Sequence, residues 1–136
     1  QIDKLDEFIK IRKNNWKKID NFISNYEKYF IRHKPTKNSD PSWFGYALTI
    51  QNNKYFSRDD LVNHLNEKRI ATRLMFGGNL IKQPAYKNMN YIVSGDLQNA
   101  DVVMNSTFWI GVYPGINDKM LEYVFETFDD FISSKT

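Results

Sequence analysis

Ten apolar or aromatic side chains between Ile2 and Phe30 recur at helical spacing: Ile2, Leu5, Phe8, Ile9, Trp16, Ile19, Phe22, Ile23, Tyr26 and Phe30. That periodicity predicts one amphipathic helix over residues 2–30. At 1.5 Å per residue it would run roughly 43 Å, longer than a small domain is wide. A helix of that reach bridges to something beyond the domain that carries it. Arg12 falls on the stripe where an apolar residue is expected, and Lys10, Lys13, Lys17 and Lys18 lie largely off it. Residues 1–37 hold ten of the 19 Lys/Arg and five of the 16 Asp/Glu, a net +5 against −2 for the remainder. Such a balance can attract phosphates, but a solvated helix face explains it equally simply and is the favoured reading.

The rest of the chain is punctuated more finely. Pro35–Pro41 is a polar connector, and Ser42–Ile50 reads as a strand entered through Trp43, Phe44 and Gly45. After a turn at 51–54, Ser57 and Asp60 stand as a capping box for a helix with Leu61, Val62 and Leu65 inward. Ile70–Phe76 reads as a buried strand, residues 77–97 as an irregular stretch, and Leu97–Thr107 as a short helix with Val102 and Val103 inward. Phe108–Tyr113 is a further strand, closed by Pro114-Gly115. The last helix begins at Asn117 or Asp118, with Met120, Leu121, Val124, Phe125, Phe128, Phe131 and Ile132 as its core stripe. So few strands among helices predict an α+β domain: a small, mostly antiparallel sheet covered by helices. The whole of residues 1–136 reads as one domain, with 1–30 as the bridging helix. A 20-residue irregular segment in a compact domain is usually functional or marginally ordered.

The composition narrows the chemistry. With no cysteine there is no disulfide, thiolate metal site or cysteine nucleophile. His33 and His64 are far apart, and His64, mid-helix beside Asn63, reads as a surface residue. No Glu/His spacing suggests a metal, and no nucleophile elbow, Walker motif or dinucleotide fingerprint is present. Trp43, Phe44, Phe108 and Trp109 could stack bases, although strand aromatics are more often core. No apolar run reaches the length of a membrane span, and Gln1-Ile2-Asp3-Lys4 lacks a signal-peptide core. Absence of an initiator methionine and a start in mid-pattern lead us to expect a piece of a longer protein.

Arg73 is the strongest single anomaly. A guanidinium in a strand read as buried needs an anion. An ion pair with Asp40, Asp96 or Asp101 would supply one. So would a phosphate or carboxylate of a ligand, which the guanidinium binds bidentately. The two readings stand level on chemistry alone. Asn79 and Gln83 could add neutral hydrogen bonds to a polar substrate, and Gly77-Gly78 could let that substrate approach the backbone.

Four motifs occur in order with compatible spacing: P-S-W-F-G at 41–45, T-R-L-M-F-G-G-N-L-I-K-Q-P at 72–84, G-D-L-Q-N-A-D at 95–101 and N-S-T-F-W-I-G-V-Y-P-G at 105–115. Together they resemble the C-terminal domain of the RfbH family of lipopolysaccharide biosynthesis, nucleotide-sugar 3-dehydrases within the DegT-type sugar aminotransferase group. The likeness covers essentially the whole chain. It implies the small C-terminal domain of the fold type I pyridoxal-phosphate (PLP) architecture. The implied reaction removes the C-3 hydroxyl of CDP-4-keto-6-deoxyhexose on the route to the 3,6-dideoxyhexoses of O-antigen. The implied equipment is PLP or its pyridoxamine form (PMP), an iron–sulfur cluster and a flavin-dependent reductase. A histidine replaces the Schiff-base lysine of the aminotransferases.

By this resemblance the cofactor and cluster belong to a preceding large domain, and neither a cofactor, a metal nor a catalytic residue is expected in this chain. Phe44 matches a cofactor-pocket wall, with Trp43 as a structural neighbour. Arg73, Asn79 and Gln83 lie on a segment that reaches over the substrate, which tilts the reading of Arg73 toward a clamp. The implied assembly is a cytoplasmic homodimer that meets a nucleotide sugar, with no membrane or nucleic acid. Gly77, where the family has Ala, and Ile92 and Ser94, which break its Tyr-Arg-Val-Val run, leave the exact sugar open. A sugar aminotransferase relative and a free-standing polyanion-binding module are the alternatives. Apolar surface on the long helix would favour self-association.

Overall fold

The computed structural model describes residues 2–136. A 3-10 turn at Ile2–Lys4 leads into α1, Leu5–Ile23. A second 3-10 turn at Ser24–Tyr26 draws the helix to its end. The helix therefore stops well before Phe30, and its 19 residues span roughly 28 Å rather than the expected length. Tyr26 and Phe30 keep helical spacing for a different reason. Tyr26 packs its ring against Phe22, whereas Phe30 opens a strand that the periodicity did not disclose.

That strand, β1 (Phe30–Arg32), pairs antiparallel with β2 (Gly45–Ile50), Phe30 opposite Ile50. β4 (Thr107–Gly111) lies on the other side of β2, and β3 (Thr72–Leu74) borders β4. The sheet is four-stranded, in the order β1-β2-β4-β3, with every neighbouring pair antiparallel. Strand alternation puts Tyr46, Leu48 and Ile50 on one face with their partners Phe108 and Ile110, all buried.

Three helices supply the matching apolar residues. α1 gives Ile19 and Ile23, α2 (Arg58–Glu67) gives Leu61 and Leu65, and α4 (Asp118–Lys135) gives Leu121, Phe128, Phe131 and Ile132. The capping box of α2 is present as read: the Ser57 side chain accepts from Asp60 N–H, and Asp60 accepts from Ser57 N–H. Asn117 caps α4 by accepting from Met120 N–H. Met120 itself points outward.

α3 (Gln98–Ser106) departs from expectation in detail. Val102 faces solvent, not the core, and no residue of this helix is fully buried. Likewise Ser42–Phe44 precede the strand instead of joining it. Trp43 sits at φ +51°, a left-handed conformation, and its indole lies flat on Trp16 at 4.3 Å and 4°.

One polar cluster ties α1 to the sheet. Asp20 accepts from the Tyr46 hydroxyl at 2.8 Å and from Arg32 Nη1 at 2.8 Å, and Arg32 also donates to Glu27. Burial, then the Asp20 carboxylate, pushes the Tyr46 hydroxyl far above the ordinary phenol range. Lys13 and Lys18 on the basic helix are paired with Asp40 and Asp118, as a solvated face would have them. The N-terminal turns nevertheless leave Ile2, Leu5 and Phe8 exposed.

Candidate functional site

The face of the sheet opposite the core carries an aromatic and cationic cluster. In β4, Trp109 alternates away from Phe108 and Ile110. Its register partners are Ala47 in β2 and Arg73 in β3. Phe44, just before β2, sets its ring 4.9 Å from the Trp109 ring at 54°, and remains 69% exposed. Gly45 is what allows this. A Cβ there would fall 2.4 Å from Trp109 Cε3 and 2.9 Å from the Ile110 carbonyl.

Arg73 is not buried: β3 is a three-residue edge strand, and the side chain lies in the exposed class. Its one side-chain hydrogen bond among the described residues runs from Nη1 to the Thr72 carbonyl, 3.0 Å. The carboxylates considered for it are occupied elsewhere. Asp40 takes Lys13, Asp101 takes Lys82 and Asn79, and Asp96 accepts from Gln98 N–H. The intramolecular ion pair is thus absent among the described residues, and the exposure of Arg73 removes the burial that called for one. Sequence reasoning singled out Phe44 and Arg73 through the family likeness and named Trp109 only as a candidate for stacking bases; it did not foresee that Trp109 lies between them, ring against Phe44 and in register with Arg73. A Trp between two core residues on a strand was the available signal.

Asn79 and Gln83 are arranged differently. Asn79 is 3% exposed and donates to Asp101 Oδ1 at 2.7 Å. Lys82 donates to the other oxygen at 2.7 Å. These two contacts, Lys82 first, hold the Asp101 carboxyl below the usual carboxylate range. Gln83 donates to the Gly77 carbonyl at 2.7 Å. Both side chains therefore fasten the 77–97 loop to itself and to α3. Two short 3-10 turns, Leu80–Lys82 and Pro84–Tyr86, are all the regular structure within that loop. It exposes Met89 and Ile92, and Phe76 just before it is exposed at a left-handed φ of +44°.

The glycines serve the same fastening. Gly78 has φ +58°, and a Cβ on it would lie 2.6 Å from Met104 Cβ and 2.9 Å from Met104 Cα. Its lack of a side chain lets the loop press on α3, so room for a ligand is not what it supplies. Gly78→Ala should destabilise the chain by roughly 2 kcal/mol, from left-handed strain and overpacking together. A urea midpoint unchanged from the parent would contradict that.

The histidines lie apart from this cluster. His33 Nε2 is 3.3 Å from Thr49 Oγ1, which is 2.7 Å from Thr107 Oγ1. Burial holds the His33 pKa below its ordinary value. The folded chain therefore favours neutral His33, while the unfolded chain takes up a proton near pH 6.5. Stability contributed by this group is complete above that pH and declines as pH falls from it toward the lower folded value. His33→Gln should flatten that part of the pH–stability curve, as thermal melts between pH 5 and 8 would read. His64 is a correction: it is half-buried, its ring 5.1 Å from Phe131, and Nε2 is buried with no hydrogen-bond partner.

No trio of His, Cys, Asp or Glu is placed to hold a metal among the described residues, and none of the described helices is long and apolar enough to cross a membrane. As a seat for a pyridoxal cofactor, the cluster offers an aromatic wall and one guanidinium. No Lys, His or carboxylate is bonded to Phe44, Trp109 or Arg73 among the described residues. These residues fit one wall of such a site and not the whole of it.

Comparison with known proteins gives a consistent result. Residues 1–129 match the DegT/DnrJ/EryC1/StrS aminotransferase family. The chain is 40% identical over 131 residues to the lipopolysaccharide biosynthesis protein RfbH of Salmonella typhimurium, covering 96% of this chain and 30% of that protein. It is 40% identical over 136 residues to a dTDP-4-dehydro-2,6-dideoxy-D-glucose 3-dehydratase of Saccharopolyspora spinosa, covering 100% of this chain and 29% of that one. A crystal structure of GDP-4-keto-6-deoxymannose-3-dehydratase with a trapped PLP-glutamate geminal diamine superposes with TM-score 0.76 at 25% identity, over 93% of this chain and 32% of that one. An aminotransferase from Psychrobacter cryohalolentis shares the fold at TM-score 0.84 and 14% identity, over 99% and 37%. The chain thus spans about 30% of the length of the curated relatives it matches.

Proposed function

The chain belongs to the DegT/DnrJ/EryC1/StrS aminotransferase family, and from that premise we propose that it is the small domain of a nucleotide-sugar 3-dehydratase. The reaction is removal of the C-3 hydroxyl from a nucleotide-linked 4-keto-6-deoxyhexose, CDP-linked by the likeness to RfbH. One observation carries this reading: 40% identity along nearly the entire chain to RfbH and to a named 3-dehydratase. A pyridoxamine cofactor would supply an electron sink for the departure of the hydroxyl. The large cofactor-binding domain, an iron–sulfur cluster, a flavin-dependent reductase, a homodimeric assembly and a cytoplasmic setting complete the proposal.

Within it, this chain contributes the Phe44 ring as one wall of the cofactor pocket and Arg73 as a cation toward the substrate. Exposure of both beside Trp109 supports those roles. Asn79 and Gln83 position the loop that follows Arg73.

The polypeptide encoded by the gene tests the reading. Supplied with pyridoxamine phosphate, a reductase and a nucleotide-linked 4-keto-6-deoxyhexose, it should yield a sugar lacking the C-3 hydroxyl, seen by mass spectrometry. Transfer of an amino group from glutamate to the sugar would replace the dehydratase with an aminotransferase, the reading that the shared aminotransferase fold favours. In the same polypeptide, Arg73→Ala should weaken nucleotide-sugar binding about tenfold, the scale of one charge-assisted contact. Its melting temperature should stay within about 2 °C, because the side chain is exposed. An unchanged affinity with a large drop in melting temperature would assign Arg73 to the fold instead.

A further inference from the structure

Strand alternation carried back from buried Tyr46 assigns Gly45 to the outer face of the sheet, Phe44 to the core face and Trp43 to the outer face again. At Phe44 and Trp43 the observed order is the reverse. Trp43 turns inward, where it packs against the core and stacks on Trp16 of α1. Phe44 turns outward onto Trp109. The exchange happens at the one left-handed residue between Asp40 and Ile50, Trp43 itself at φ +51°. A bulky side chain rarely takes that conformation, and it persists only where its surroundings hold it.

The surroundings do so from two sides. The Trp16 and Trp43 indoles lie face to face, and Trp16 also leans on Tyr46, 5.3 Å away at 54°. One turn further along α1, Asp20 accepts from the Tyr46 hydroxyl. The helix therefore grips the chain on both sides of Phe44, at Trp43 and at Tyr46. Ahead of the turn, Lys13 of the same helix is bonded to Asp40. On the outer face, Gly45 lacks the Cβ that would strike Trp109. All of this places a ring that stays 69% exposed, so burial of Phe44 is not what the arrangement serves.

We propose that Trp43 is a positioning residue: its left-handed turn, held by the stack on Trp16, is what presents Phe44 on the outer face of the sheet. Without the stack, the segment relaxes into the extended strand that alternation favours, and Phe44 swings off Trp109. The assignment rests on the reading of Phe44 as one wall of a cofactor pocket and deepens it, because it makes α1 the support of that wall.

NMR spectra of the 136-residue chain test the geometry with no cofactor present. In the parent, the Phe44 ring protons should show nuclear Overhauser cross-peaks to the Trp109 indole. Trp43→Leu keeps apolar volume but offers no flat face. It should lower the population of that contact about fivefold, the scale of one aromatic stack, while the amide signals of β4 keep their folded positions. Trp16→Leu, on a different element, should do the same. Trp43→Phe retains a stacking ring and should restore the contact to within about twofold. Persistence of the cross-peaks in both leucine variants overturns the proposal.

The dissociation constant of the gene's full polypeptide for pyridoxal phosphate, read by visible absorbance, separates the two readings. Phe44→Ala should raise it about fivefold and Trp43→Leu nearly as much. The double variant should lose no more than Phe44→Ala alone, because both changes act through one ring. Additive losses would mean that Trp43 acts independently of Phe44, and would overturn the positioning role. If Phe44→Ala leaves the constant unchanged, the pocket-wall reading falls, while loss of the cross-peaks in the leucine variants still upholds the positioning of Phe44. If the leucine variants keep the cross-peaks but Phe44→Ala weakens binding, the positioning role falls and the wall stands.

Discussion

Phe128→Ala is expected to lower the stability of the chain by about 4 kcal/mol, the scale of a large buried aromatic lost to a cavity. Phe128 is 1% exposed. Its ring lies 6.2 Å from Phe22 on α1 and 6.3 Å from Phe30 on β1. Phe22 in turn stacks on Phe125 at 4.4 Å. Two elements from the start of the chain and one from its last helix thus meet on one side chain. Truncation removes transfer free energy and leaves a void that a helix, a helix and a strand cannot close together. With a typical total of 5–15 kcal/mol, little would remain. Phe128→Leu should cost about 1.5 kcal/mol, since most of the volume is kept. Urea unfolding of both variants measures the difference, and a loss below 1 kcal/mol for the alanine would show that the site collapses freely.

Asp20→Ala should cost roughly 3 kcal/mol, nearly as much by a different route. Asp20 and Arg32 are one-fifth exposed or less, and the hydroxyl of fully buried Tyr46 has Asp20 as its partner. Removing the carboxylate leaves a phenol hydroxyl without an acceptor and a guanidinium with only the exposed Glu27. Asp20→Asn keeps an acceptor oxygen and should lose roughly half as much. If the two substitutions cost the same in chemical denaturation, charge and not hydrogen bonding holds the cluster.

These two joints show which parts of the fold were readable in advance. α4 was legible because Leu121, Phe128, Phe131 and Ile132 are local in sequence and repeat at one period. The capping box of α2 was legible for the same reason, since Ser57 and Asp60 are three residues apart. The end of α1 was not, because Phe30 satisfies the helical spacing while its true partner, Ile50, lies in another segment. Val102 and His64 were misplaced for want of knowing what packs on each helix. In the site, Phe44 and Arg73 were reached through the family likeness. Their meeting at Trp109 depends on a strand register that no single stretch encodes. Gly77-Gly78 drew notice, but the cause at Gly78 is its left-handed backbone and the packing of Met104, 26 residues away.

The strand order carries a consequence for how the chain is made. β2 finds β1 soon after it leaves the ribosome, but its other neighbour is β4, with Thr49 and Thr107 bonded across 58 residues. β3 emerges earlier than β4 and has no neighbour without it. Until Thr107–Gly111 has been translated, a two-stranded ribbon and a lone edge are all that the sheet can be, and such pieces are marginal in water. Sheet closure therefore waits for Thr107–Gly111, and α4 follows within a few residues to cover it. A nascent chain stalled before Thr107 should remain open to proteases, and one extended through α4 should resist them.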